Sequence, residues 1–110
     1  MTKEAWEHGI ALFNDGQFWE CHEALEAAWM QSDGEERDAL HGVILLAAAL
    51  HKARHMGSAR GGRRNYAKAL MALSGVPDVW RGVDIRGLEA VTHAALRDLA
   101  HTPVVPRREE

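Results

Sequence analysis

The chain has little cysteine or proline: one cysteine and three prolines stand among its 110 residues. Because the single cysteine, Cys21, cannot pair within the chain, an internal disulfide and a cysteine-based zinc cluster are both excluded. No apolar run is long enough to span a bilayer, and the region after Met1 lacks the basic and apolar segments of a secretory signal. These absences predict a cytoplasmic protein without a membrane partner, in which Cys21 packs as a small apolar side chain.

Two common catalytic templates are also missing. The sequence contains no Gly-x-Ser-x-Gly elbow, which presents a nucleophilic serine, and no phosphate-binding loop that ends in Gly-Lys-Ser/Thr. We therefore expect neither a serine hydrolase of the elbow type nor a P-loop nucleotidase.

The residues that are present favour helices. The composition, 46% hydrophobic and 26% charged, is typical of one globular domain. Alanine, leucine and glutamate are abundant, apolar residues recur three and four positions apart, and no alternating strand pattern stands out. We predict an all-α fold, a compact antiparallel bundle of about four to five helices over residues 1–101, followed by a flexible tail at 102–110. The predicted helices run from a Thr2 cap to the turn at Gly16, over 17–30, from a Ser32 or Asp33 cap to about 56, over 59–73, and from an Asp84 cap to about 99.

The second predicted helix carries a histidine among large apolar residues. At 100° per residue, Phe18, Cys21, Leu25 and Trp29 share one face, which we expect to be core, and His22 lies on that same face. A polar group on a core face costs about 1–3 kcal/mol unless it is hydrogen-bonded. Glu26, one turn after His22, is the nearest candidate partner.

The same stretch resembles the signature of a known family. Its pattern is Phe13-Asn14-x-Gly16-x-Phe18-Trp19-Glu20-x-His22-Glu23-x-Leu25-Glu26-x-x-Trp29. The pattern is similar to that of the bacterial and archaeal domain of unknown function numbered three hundred and nine. The resemblance extends through 40–51 and, more loosely, to about residue 100. It implies a compact all-α domain and carries no established activity.

His22, Glu23, Glu26 and His51 are the candidates for chemistry. His22-Glu23-Ala24-Leu25-Glu26 differs from a zinc-protease helix because a glutamate replaces the second histidine. His22 and Glu26, with His51 from the next helix, would suit a divalent metal such as zinc, iron or manganese. Alternatively, Glu26 orients His22 as a general base, or the histidines belong to buried hydrogen-bond networks that fix helix packing. Antiparallel packing would leave His51 about 10 Å past the residue opposite His22, so we favour the packing role.

Trp19 lies beside Glu26, away from the centre of the apolar stripe. Such a side chain suits a pocket wall or a subunit contact as well as a core position. We therefore predict a pocket formed by Trp19, His22, Glu26 and His51.

Charge is distributed unevenly along the chain. Residues 1–38 carry ten acids and two bases, whereas residues 39–77 carry six bases and no acid. The basic run 60–64 stands near the start of a helix, where free N–H groups favour an anion, so Arg60, Arg63 and Arg64 form a candidate phosphate or RNA site. The acidic net charge of −3 and the scarcity of nearby aromatic rings argue against nucleic acid. Pairing between the acidic and basic halves, within one chain or in a homo-oligomer, is the simpler explanation.

These observations favour a non-enzymatic helical interaction module that self-associates. A metal-binding protein or small hydrolase-like enzyme centred on His22 and Glu26 is the main alternative. Phosphate or RNA binding through residues 60–64 is the weaker one. The sequence does not identify a small-molecule ligand.

Overall fold

The computed structural model describes residues 3–109 and confirms the predicted all-α bundle. Five helices follow one another, and a short hairpin precedes the last of them. The elements are α1 (Lys3–Asn14), α2 (Phe18–Met30), α3 (Gly34–Arg54), α4 (Ala59–Leu73), β1 (Val79–Trp80), β2 (Val83–Asp84) and α5 (Ile85–Arg97). Among these residues, no helix is both long and apolar enough to cross a membrane.

Helix α3 lies at the centre and packs against α2, α4 and α5, while α1 packs against α2. Its apolar residues occur almost all round the helix, which is typical of a helix buried by several neighbours. The approach of α4 is close: a Cβ added at Gly42 would lie 2.2 Å from atoms of the Leu73 side chain. Glycine at this position therefore sets the distance between the two helices.

The helix boundaries follow local chemistry. Gly16, with φ +76°, forms the turn between α1 and α2, because glycine adopts left-handed backbone without a Cβ clash. Asp84 caps α5 through its side chain, which accepts a hydrogen bond from the Gly87 N–H, as predicted. Asp33 occupies the cap position of α3 but makes no side-chain cap bond. The predicted Thr2 cap lies outside the described residues.

The sequence did not indicate the hairpin at residues 79–84. Its strands pair antiparallel, with Trp80 opposite Val83, and the turn places both Arg81 (φ +46°) and Gly82 (φ +79°) in left-handed backbone. A two-residue hairpin turn needs positive φ at both of its central residues if its twist is to match that of the strands. The Trp6 indole donates a hydrogen bond to the Arg81 carbonyl at 3.2 Å and so fixes the turn against α1.

Residues 102–109, predicted from the sequence as a flexible tail, lie along the hairpin and the end of α1. We call this segment the C-terminal strap. Its Val105 is 3% exposed, and the Val105 N–H donates to Asn14 Oδ1 at 2.7 Å. The Asp84 N–H donates to the Pro106 carbonyl at 3.0 Å, and Arg107 forms an antiparallel bridge with Val83. Val105, between the two prolines of this segment, thus buries its side chain against the rest of the domain.

Candidate functional site

The exposed indole of Trp19 joins the histidines of α2 and α3. Trp19 and His22 are three residues apart on α2, so their side chains are neighbours, and their rings stack with centroids 4.9 Å apart. On the other side, the His51 ring of α3 lies 5.2 Å from the Trp19 ring. Trp19 therefore contacts both histidines and yet keeps 46% of its surface exposed.

His22 and Glu26 are neighbours, as predicted from their spacing. His22 Nδ1 lies 3.6 Å from Glu26 Oε2, which is ion-pair distance for a protonated imidazole but too long for a hydrogen bond. Consistent with this, His22 Nδ1 is buried and has no hydrogen-bond partner within residues 3–109. Glu23 is exposed on the same helix. A histidine next to a glutamate is the usual pair for a general base. Here, however, no hydrogen bond from Glu26 fixes the orientation of the His22 imidazole.

The three residues predicted to share a metal are not brought together. His51 contacts the Trp19 ring, whereas Glu26 lies beside His22. In the part of the chain that the structure describes, no group of three or more His, Cys, Asp or Glu side chains is placed to hold a metal ion. His22 and His51 each contact the Trp19 ring and do not meet at a shared centre.

A groove of about 800 Å³ opens beside Trp19, between the start of α2 and the end of α3. We call it the Trp19 groove, and it is lined by Phe18, Trp19, Glu20, His51, Lys52, His55 and Met56. Of the four residues predicted to form one pocket, only Trp19 and His51 line this groove; His22 contacts Trp19 without lining it, and Glu26 does not line it.

Five of the seven residues that line the Trp19 groove were not predicted from the sequence, His55 and Met56 among them. His55 stands four residues after His51, at the end of α3, and their rings are 5.4 Å apart. Met56, just after the helix, is 63% exposed. The spacing of the two histidines was a usable signal, since residues four apart share a helix face. Met56 gave no such signal, because a methionine just after the end of a helix has no characteristic sequence pattern.

The opposite end of the α2–α3 face carries a second aromatic stack, formed on Trp29, which packs against the hydrophobic core. Trp29, expected in the core, is only half-buried. His41 stacks on it at 5.1 Å, and the Arg37 guanidinium lies 4.5 Å from the centre of its ring. Burial and the nearby Arg37 charge lower the pKa of His41 from its ordinary value. Polar side chains from the first half of α3 thus cover Trp29 where apolar ones were expected.

Several buried side-chain nitrogens lack hydrogen-bond partners within residues 3–109: His22 Nδ1, Trp29 Nε1, His51 Nδ1, Arg54 Nε and Nη2, and Arg86 Nε. Buried polar atoms are nearly always satisfied in folded proteins, so unsatisfied ones need an explanation. These nitrogens have almost no accessible surface, so a molecule docked on this face would not reach them without movement of the side chains.

The predicted anion-binding arginines separate into two groups. Arg60 and Arg64 line a shallow groove with Lys52 and Ser58, whereas Arg63 lines a different groove between α4 and α5. The Ser58 hydroxyl already accepts the Gly61 N–H at 3.0 Å, so one of the helix-start donors is occupied. The structure therefore divides these arginines between two grooves.

Cys21, next to His22 in sequence, is fully buried. Burial raises the pKa of its thiol to about 12. The thiol consequently stays protonated at neutral pH and packs as an apolar side chain, as the sequence predicted.

Known proteins are similar to this chain in sequence, and one solved structure is also similar in fold. The sequence model of a family described as Domain of unknown function (DUF309) matches residues 6–65. An uncharacterized protein of Aquifex aeolicus (strain VF5) is 31% identical over 85 residues, which are 76% of this chain and 25% of that protein. The chain thus spans about a quarter of the length of that curated relative. The crystal structure of a conserved hypothetical protein from Thermus thermophilus is 43% identical, with a TM-score of 0.76 over 84% of this chain and 95% of that one.

Proposed function

The chain belongs to the DUF309 family, and we propose that it is a non-enzymatic helical interaction module that self-associates through the Trp19 groove. The single observation that carries the proposal is Trp19 itself, which is 46% exposed and lines the groove between α2 and α3. Large exposed apolar side chains that cluster on one face mark interaction surfaces. Here the cluster also includes the exposed Met56.

Covering Trp19 in an interface contributes substantially to the free energy of association. A tryptophan buries up to about 250 Å², so the exposed 46% corresponds to roughly 100 Å². At about 25 cal/mol per Å², covering this area contributes roughly 2.5 kcal/mol for each copy. An interface with two-fold symmetry buries two such side chains, which makes Trp19 a candidate hot spot.

The charges around the Trp19 groove favour a second copy of this chain as the partner. Glu20 lies on the α2 side of the groove and Lys52 on the α3 side. The acidic side continues along α2 with Glu23, and the basic side continues onto α4 with Arg60 and Arg64. A two-fold axis through the groove would set the acidic side of each copy against the basic side of the other, and such complementary charges fix register and orientation.

The proposal is tested by measuring the mass of the protein in solution. We expect wild type to sediment as a dimer, with Trp19→Ser raising the dissociation constant at least about a hundredfold because each dimer loses two anchors. The matched control is Leu99→Ser, since Leu99 is 43% exposed but lies outside the Trp19 groove. A wild type that remains monomeric at high concentration, or a Leu99→Ser variant that dissociates as much as Trp19→Ser, would contradict the proposal.

A further inference from the structure

A second groove, between α4 and α5, has the properties of a small-molecule site. Its volume is about 330 Å³, and Ala53, Ala59 and Leu96 supply apolar walls. Small-molecule sites are concave, largely apolar, and begin at about this size. The groove is separate from the Trp19 groove and shares no lining residue with it.

An aromatic pair forms one wall of this α4–α5 groove. The rings of Tyr66 and His93 lie 5.5 Å apart. The Tyr66 hydroxyl donates to the Glu89 carbonyl at 3.0 Å, which anchors the ring from its far end. Because the hydroxyl is already used, Tyr66 offers a ligand its apolar face.

Only positive charge is available at the rim. Arg63 from α4 and Arg97 from α5 both line the groove, and no aspartate or glutamate of the described residues 3–109 does. Within residues 3–109, neither arginine forms an ion pair with a carboxylate. Guanidinium groups bind carboxylates with paired hydrogen bonds, so two of them beside an apolar groove select an anion that carries an apolar body.

We propose that the α4–α5 groove binds a small apolar carboxylate. The hydrocarbon part of the ligand lies against Leu96 and the Tyr66 ring, and its carboxylate lies between Arg63 and Arg97. Neither part suffices alone: a short anion gains nothing from the apolar walls, and a neutral chain gains nothing from the arginines.

Titrations of the full-length protein with three probes test this inference. Octanoate carries both features, 1-octanol lacks the charge, and acetate lacks the chain. By nuclear magnetic resonance, we expect octanoate to shift the amide signals of α4 and α5 and to bind about tenfold more tightly than either other probe. Equal binding of 1-octanol, equal binding of acetate, or shifts confined to the Trp19 groove would each overturn the assignment.

Arginine variants sharpen the test. Arg63→Gln and Arg97→Gln should each weaken octanoate binding about fivefold at low salt, the range expected for exposed ion pairs. Arg64→Gln is the matched control, because Arg64 lines a different groove. An equal loss in Arg64→Gln would indicate non-specific attraction of anions and refute the site. Binding should persist in Trp19→Ser, so the outcome is independent of self-association.

Discussion

The close contact between α3 and α4 makes Gly42→Ala the most informative stability variant. Replacing glycine by alanine inside a helix ordinarily stabilises by about 1 kcal/mol, because alanine has the higher helix propensity. Here the added Cβ would lie 2.2 Å from Cγ and Cδ2 of Leu73, which is fully buried. Carbon atoms in contact prefer about 3.5–4.0 Å, so Leu73 must leave its rotamer or α4 must move away from α3.

The expected change in the free energy of unfolding of Gly42→Ala follows from these two opposing effects. Overpacking a core typically costs about 1–3 kcal/mol, and an overlap of this size belongs at the upper end. Subtracting the gain in propensity of about 1 kcal/mol, we expect Gly42→Ala to lower the free energy of unfolding by about 2 kcal/mol. Leu73→Ala alone should cost about 2–5 kcal/mol through its cavity. The double variant should be more stable than the sum of the two by about 1–2 kcal/mol, since the new methyl enters that cavity.

Urea denaturation followed by circular dichroism measures all three variants. Gly75→Ala is the control, because a Cβ there meets no atom within 4 Å, and its stability should be unchanged or raised by up to about 1 kcal/mol. If Gly42→Ala proves more stable than wild type, or if the double variant is simply additive, α3 and α4 are not packed as described.

Two further predictions concern the C-terminal strap and His41. Asn14→Ala should lower the free energy of unfolding by about 1–3 kcal/mol, because it leaves the N–H of Val105 without its acceptor. Hydrogen exchange of the Val105 amide should accelerate. Unchanged exchange would show that the C-terminal strap does not depend on this bond. Burial lowers the pKa of His41, so the folded state favours the neutral imidazole. The unfolded chain therefore takes up this proton first as the pH falls. The stability that His41 contributes is present above about pH 6.5 and is lost as the pH falls through its lowered pKa. Urea midpoints at pH 7.5 and 5.5 should therefore converge in His41→Gln, and an unaltered difference between them would contradict the assignment.

Much of the helical framework could be predicted from the sequence because its signals are local. Gly16 and Asp84 indicated a turn and a helix start through their own backbone and side-chain chemistry. The hairpin could not be predicted in this way. Its strands have two residues each, too short for any periodicity, and it is held from outside by Trp6 and by the bond from Asp84 to Pro106. Such long-range contacts leave no local pattern.

The candidate site was predicted in part. The spacing of His22 and Glu26 placed them side by side, as the structure has them. Whether His51 would join them depended on the register between α2 and α3, which no local signal sets. Trp29 shows the same limit of prediction. A helical wheel gives the direction in which its side chain points, but it does not show that Arg37 and His41 of α3 cover the ring.

Exchanging charges across the Trp19 groove tests self-association most directly. In a two-fold dimer, Glu20→Lys alone and Lys52→Glu alone each set like charges against one another, and both should run as monomers by light scattering. An equimolar mixture of the two variants restores both opposite-charge pairs and should have twice the monomer mass, with one copy of each variant. Failure of the mixture to associate, or dimers of either variant alone as stable as those of wild type, would contradict the account.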